Sequence, residues 1–110
     1  MNRIPKALKR KLQELSRQAY EEELRRMLLP LSEAFEAWKA SKLDSFDLAG
    51  LIHTFHNGPD RELHTRYNTS SVLEFNVAGA IRNGILARDK IPGDVMEYLS
   101  RYLEFYERDK

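Results

Sequence analysis

Imidazole is the side chain best suited to hold a transition metal or to pass a proton near neutral pH. This chain places all three of its imidazoles, His53, His56 and His64, in one stretch. His53 and His56 stand three residues apart, which makes them neighbours if the stretch is helical. Asp60, Glu62 and His64 follow, so a third ligand for a zinc-like ion lies close in sequence. The spacing differs from that of zinc hydrolases, whose two histidines stand four apart with a glutamate between them. Here Thr54 and Phe55 intervene. The stretch is a candidate for metal binding rather than for metal catalysis. The plainer expectation is that His56 borders the core while His53 and His64 face water.

Other groupings suggest binding rather than reaction. Arg61, Thr65, Arg66 and Asn68 would lie on the second helix of a helix–turn–helix if the chain turned at Gly58. Asp60 and Glu62 would then sit at the end that meets phosphate, which opposes DNA binding. Arg3, Lys6, Lys9, Arg10, Lys11 and Arg17 make the N-terminus basic, with only Glu14 among them. Cations in a first helical turn oppose the helix dipole, so local stability does not account for them. Lys9, Arg10 and Lys11 are the candidate contacts to nucleic acid or to an acidic partner. Asn76, Gly79 and Asn83 recur at helical spacing and could line a small pocket, bond across a helix crossing, or simply face water. Trp38, Tyr98 and Phe105 are aromatic positions at helix faces where a protein partner would dock, Tyr98 and Phe105 falling off the main packing stripe of their helix. No serine–histidine–acid set, phosphate-cradling glycine loop or paired-carboxylate site stands out. No catalytic residue and no cofactor is expected.

These residues must be positioned by helices. Apolar residues recur at Leu8, Leu12, Leu15 and Ala19, and then at Tyr20, Leu24, Met27, Leu31, Ala34 and Trp38. Such spacing predicts an amphipathic helix. The two stripes are out of register by one residue, so the helix should change neighbours near Ala19–Tyr20. The period runs through Pro30, which predicts one kinked helix over about 5–40 rather than a break. Glu21–Arg25 and Glu22–Arg26 stand in the favourable order for ion pairs. Asp44 or Ser45 can cap a second helix that carries Leu48, Leu51, Ile52 and Phe55 on one face. Gly58 is expected to end that helix with a positive φ, and Pro59 to start a short one anchored by Leu63 and Tyr67. Ser71 and Glu74 form a capping box for a central helix apolar on most sides. Asn83–Gly84 is a stop signal, residues 85–90 have no clear assignment, and Ile91–Pro92 opens a last helix with a frayed tail from Glu107.

The chain therefore reads as all-α, a single domain over 1–110: a long kinked N-terminal helix on a compact bundle of about four shorter ones, spanning about 45–107. Eighteen basic and seventeen acidic residues leave a net charge of +1, unlike a dedicated nucleic-acid binder or an acidic nucleic-acid mimic. There is no cysteine, hence no disulfide, thiolate site or thiol nucleophile. No run reaches the ~18 apolar residues of a membrane span, and the basic N-terminus precedes no signal-like apolar segment. A cytoplasmic location is expected. The preferred functional expectation is a small non-catalytic interaction or regulatory protein, working through a protein partner or self-association. A nucleic-acid-associated protein using the basic helix is the alternative, and a metal-binding protein the second alternative.

Overall fold

The computed structural model describes residues 4–68 and 73–108, with side chains to Phe105 in the last helix. Its helices are α1 (Lys6–Lys39), α2 (Ser45–Phe55), α3 (Arg61–Asn68), α4 (Leu73–Arg82), α5 (Gly93–Tyr98) and α6 (Ser100–Arg108). No strand occurs among the described residues. The protein is all-α, with a long N-terminal helix packed on shorter ones, as the apolar spacing predicts. Ser71 of the expected capping box and the last residues of the tail lie outside the described residues.

Pro30 sits inside α1 without ending it. The change of register along the helix is a change of neighbour. Leu12, Leu15 and Ala19 enter the main core beside Val77, Ile81, Val95, Leu99 and Leu103. From Tyr20 onward the helix meets α2 and α3 instead. Tyr20 stacks on Tyr67 with ring centroids 5.0 Å apart. At the far end Trp38 Nε1 donates to Ser45 Oγ at 2.9 Å. The chain thus turns at the tip of α1 and runs back along it.

The expected helix end at Gly58 is absent. Asp44 accepts the Asp47 N–H at 2.7 Å and starts α2. That helix then passes into α3 through one wide π-turn, His56–Asp60. Gly84 is the glycine with positive φ, at 75°; Gly58 is not. Proline has no N–H to donate, and its ring crowds the carbonyl four residues back. A turn whose bonds reach five residues back opens the backbone there and relieves the crowding. Gly58 assists, since a Cβ before proline collides with the ring in the helical conformation. Leu48 and Leu63, both buried, hold the combined rod against α1. Pro59 therefore bulges a helix rather than starting one, and Asp60 and Glu62 sit at no N-terminus.

The stop at Asn83–Gly84 is present. The Gly84 N–H bonds Ile81 O at 3.2 Å, and the Ile85 N–H reaches Ala80 O at 2.9 Å. This is the double closure that a left-handed glycine permits. A short 3₁₀ turn, Arg88–Lys90, follows. The last helix is interrupted at Leu99, yet the Leu99 N–H still bonds Val95 O and the Leu103 N–H bonds Leu99 O, both at 2.9 Å. Buried α4 lies between α1 and α6, the central position its composition predicts.

The molecule measures 57 × 29 × 27 Å. A helix of 34 residues is about 51 Å long, so α1 sets the long axis. The radius of gyration is 17.7 Å, against about 13 Å for a compact chain of this length. The excess comes from an arm, in which the C-terminal half of α1 and antiparallel α2 project from the core.

Candidate functional site

The arm carries the apolar surface. Among the described residues eight large apolar side chains are exposed, and seven of them lie between Leu28 and Ile52. They are Leu28, Leu29, Phe35 and Trp38 on α1, and Phe46, Leu51 and Ile52 on α2. The physical cause is the number of helices. A single partner helix covers the centre of an amphipathic face, and here α1 buries Leu48 while Leu51 and Ile52 on either side remain open. Phe46 is 87% exposed on the opposite side of α2. The outer side of α1 has a groove of about 230 Å³ lined by Glu21, Leu24, Arg25, Leu28, Leu29 and Ser32. Of the two expected ion pairs on this helix, Glu22–Arg26 forms at 2.6 Å. Glu21 and Arg25 form no ion pair within contact distance among the described residues, and both line the groove.

A polar cluster ties the arm to the core. Glu23 accepts a short hydrogen bond from the Tyr67 hydroxyl and contacts Arg66 Nη1 at 3.3 Å. Burial, reinforced by the Glu23 carboxylate, holds the Tyr67 phenol well above its ordinary range. Tyr67 is thus a fixed donor at neutral pH and no base. Asn76 Nδ2 donates across the helix crossing to the Arg66 carbonyl at 3.1 Å. Asn76, Gly79 and Asn83 line a cavity of about 290 Å³ together with Glu23, Arg66 and Tyr67. The asparagine spacing thus marks a real pocket edge. Glu23 is the residue that sequence reasoning missed. Its signal was a carboxylate beside the apolar stripe, where a charge needs a partner.

The three histidines do not converge on one point: His56 and His64 line a pocket with Asp60, Arg61 and Thr65, and His53 lies apart from it. His53 Nε2 meets Asn57 Nδ2 at 2.9 Å, His56 Nδ1 meets Asp60 Oδ2 at 3.2 Å, and His64 Nδ1 meets Asn68 Nδ2 at 3.3 Å. Each pairs with the residue four positions on, along one exposed rod. Among the described residues no three histidine or carboxylate groups are arranged to hold a metal ion. The helix–turn–helix outline is also gone, because the chain does not turn at Gly58. Arg66 faces Glu23 rather than open solvent.

The basic segment is partly engaged within the chain. Lys11 Nζ bonds Asp94 Oδ2 at 2.8 Å, and Arg17 bonds Glu14 at 2.8 Å. That pairing with Arg17 pulls the Glu14 carboxyl down to about 2. Lys9 borders a cleft beside Gln13, Ser16 and Tyr67, and Arg10 is exposed. The three aromatic candidates fall on two separate regions. Trp38 lies at the arm tip. Tyr98 donates to Glu74 Oε2 at 3.0 Å, and burial followed by that carboxylate pushes its phenol up to about 12. Phe105 sets its edge on Phe75 with centroids 5.7 Å apart. No helix among the described residues is long and apolar enough to cross a membrane.

Compared with protein-family models, curated proteins and solved structures, the chain matches none.

Proposed function

We propose that this chain is a small, non-catalytic, cytoplasmic interaction or regulatory protein that acts through protein–protein contacts made by its arm. One observation supports the reading above others: uncovered apolar side chains gather on a two-helix arm, while the other end closes a core around Leu12, Val77, Val95 and Leu99. Large exposed apolar side chains gathered on one projecting element, rather than scattered singly, mark an interaction region. Fully burying such a side chain from water is worth about 1.5–3 kcal/mol, and most of these are already about half covered, so a partner on one face of the arm gains a fraction of that for each residue it covers. A composition without cysteine suits a reducing compartment.

The test is a double substitution, Leu51→Lys with Ile52→Lys, at the half-exposed margins of Leu48 on α2. Circular dichroism and thermal melting should match the wild type, because neither residue is in the core. Capture of a different protein partner should be lost. Equal capture by wild type and variant overturns the proposal, as does a wild type that retains nothing and stays monomeric.

A further inference from the structure

We infer that the partner of the arm is a second copy of the same chain, joined through the outer face of α1 in an antiparallel pair whose two-fold axis passes between Leu28 and Ser32, at the level of Pro30. The inference rests on the interaction reading above and names the occupant of that surface. Its basis is one row of side chains. Glu21, Arg25, Leu28, Ser32, Phe35 and Lys39 follow each other in steps of four and three, the spacing of a helix–helix seam. They lie within one narrow strip of the helix surface, since residues seven apart are offset by only about 20°.

The row is complementary to itself when reversed. A two-fold axis at the level of Pro30 places Glu21 of each copy opposite Lys39 of the other. It places Arg25 opposite Phe35, a guanidinium over an aromatic ring. Leu28 meets Ser32 near the axis, with Leu29 beside it. The shapes agree with the charges. Glu21, Leu24, Arg25 and Leu28 stand at the four corners of a knob-accepting hole, and the groove on this face is lined by these residues. The knob is Phe35, in the same row, about a third of it exposed and with Trp38 packed edge-on against it. Reversal brings each Phe35 into the hole of the other copy, so one operation fills two holes and makes the interface isologous.

The polar groups around the seam fit the same arrangement. Glu21 and Arg25 form no contact ion pair with each other, although helical spacing offers it, and Glu21 acts only at longer range on Arg17. Lys39 leans on Glu36 at 3.4 Å, exposed enough to reach a second carboxylate. Glu22 and Glu36 flank the seam beside Leu29, and each carries its own intrahelical cation, Arg26 and Lys39. A parallel pairing would instead place Glu21 on Glu21, Arg25 on Arg25 and Lys39 on Lys39. The antiparallel pair covers Leu28 and Phe35 of each copy and leaves the exposed residues of α2 outside the seam.

The experiment is sedimentation equilibrium of the full chain, followed by thiol mapping. Wild type should dimerise, and Phe35→Ala should weaken the dimer at least about 100-fold, since it empties two central holes. Glu21→Lys and Lys39→Glu should each weaken it about tenfold, and the two together should restore it. The chain has no cysteine, so engineered thiols report alone. A mixture of Glu21→Cys and Lys39→Cys chains should oxidise to the mixed dimer, while Glu21→Cys alone should not cross-link. Melting of each variant at dilute, monomeric concentration verifies that these exposed substitutions leave the fold intact. A chain that stays monomeric at several hundred micromolar overturns the second-copy inference. The interaction reading is then decided separately, by capture of a different protein that the Leu51→Lys, Ile52→Lys variant loses. A dimer that ignores Phe35→Ala, or that links Glu21→Cys to itself, overturns the antiparallel seam while leaving the arm as the contact surface.

Discussion

Alanine at Gly58 and at Gly84, tested one at a time, should give different results, although both glycines follow asparagine in what look like turns. At Gly84 the backbone has φ 75°. An alanine there sits in the left-handed region, which disfavours L-residues by roughly 1–2 kcal/mol. Its added Cβ meets nothing within 4 Å, so no new contact offsets the strain. A loss of about 1 kcal/mol or slightly more is expected, or about 4 °C in Tm for a chain of this size. At Gly58 the backbone is helical, and the added Cβ again meets nothing within 4 Å. Two terms oppose each other. Alanine gains about 0.8–1 kcal/mol over glycine in a helix. The clash of its Cβ with the ring of Pro59 removes a comparable amount. The net change should stay within about 0.5 kcal/mol of zero. The two terms separate in a Pro59→Ala background, where Gly58→Ala should stabilise by about 1 kcal/mol. Urea unfolding followed by far-UV circular dichroism, with unchanged m, supplies all four values. If Gly58→Ala alone costs as much as Gly84→Ala, the chain reverses at Gly58 and the continuous α2–α3 rod is wrong.

Three further outcomes follow from contacts already described. Leu12→Ala, at a fully buried core position, should cost about 3 kcal/mol, whereas Phe46→Ser should change stability by less than about 0.5 kcal/mol; comparable losses would contradict the division into core and arm. Asp44→Ala removes the acceptor for the Asp47 N–H and should cost about 1 kcal/mol in thermal or urea melts, with no effect expected only if Ser45 caps instead. Tyr67 and Tyr98 both have phenols held above the ordinary value of about 10. The folded state therefore favours the protonated phenols. Their contribution is complete below about pH 10 and falls as pH rises, between about 10 and about 12 for Tyr98. Denaturation midpoints measured up that range should decline, and Tyr67→Phe with Tyr98→Phe should flatten the decline; an unchanged slope would remove the phenol–carboxylate pairs from the account.

Where local chemistry decided the outcome, the sequence was readable. The offset between the Leu8–Ala19 and Tyr20–Trp38 stripes announced a change of neighbour, because a helix cannot present one register to two partners at different angles. Asn83–Gly84 ended a helix because only glycine takes that φ easily. At Gly58–Pro59 the same residue types gave the opposite result. Contacts through Leu48 and Leu63 hold the flanking segments to one long helix, and a single π-turn absorbs the proline. A local turn signal cannot reveal that tertiary preference. Glu23 was hidden for a related reason: its partners Arg66 and Tyr67 stand 43 and 44 residues away. The histidine spacing, legible as a possible metal site, became three separate side-chain pairs once the segment proved to be one rod. The exposed stripe on the arm was foreshadowed by an apolar pattern longer than the short helices could cover.

α1 belongs to the core as far as Ala19 and to the arm from Tyr20 onward, so the molecule has the mechanics of a lever. Ala19–Tyr20 is the fulcrum, and the Glu23, Arg66 and Tyr67 cluster lies beside it as the brace. From there to Trp38 the helix extends about 28 Å. A bend of about 10° at the fulcrum carries the tip through about 5 Å, the rise of one helical turn. A small change of angle near the core would therefore appear at the far end as a displacement of about one helical turn.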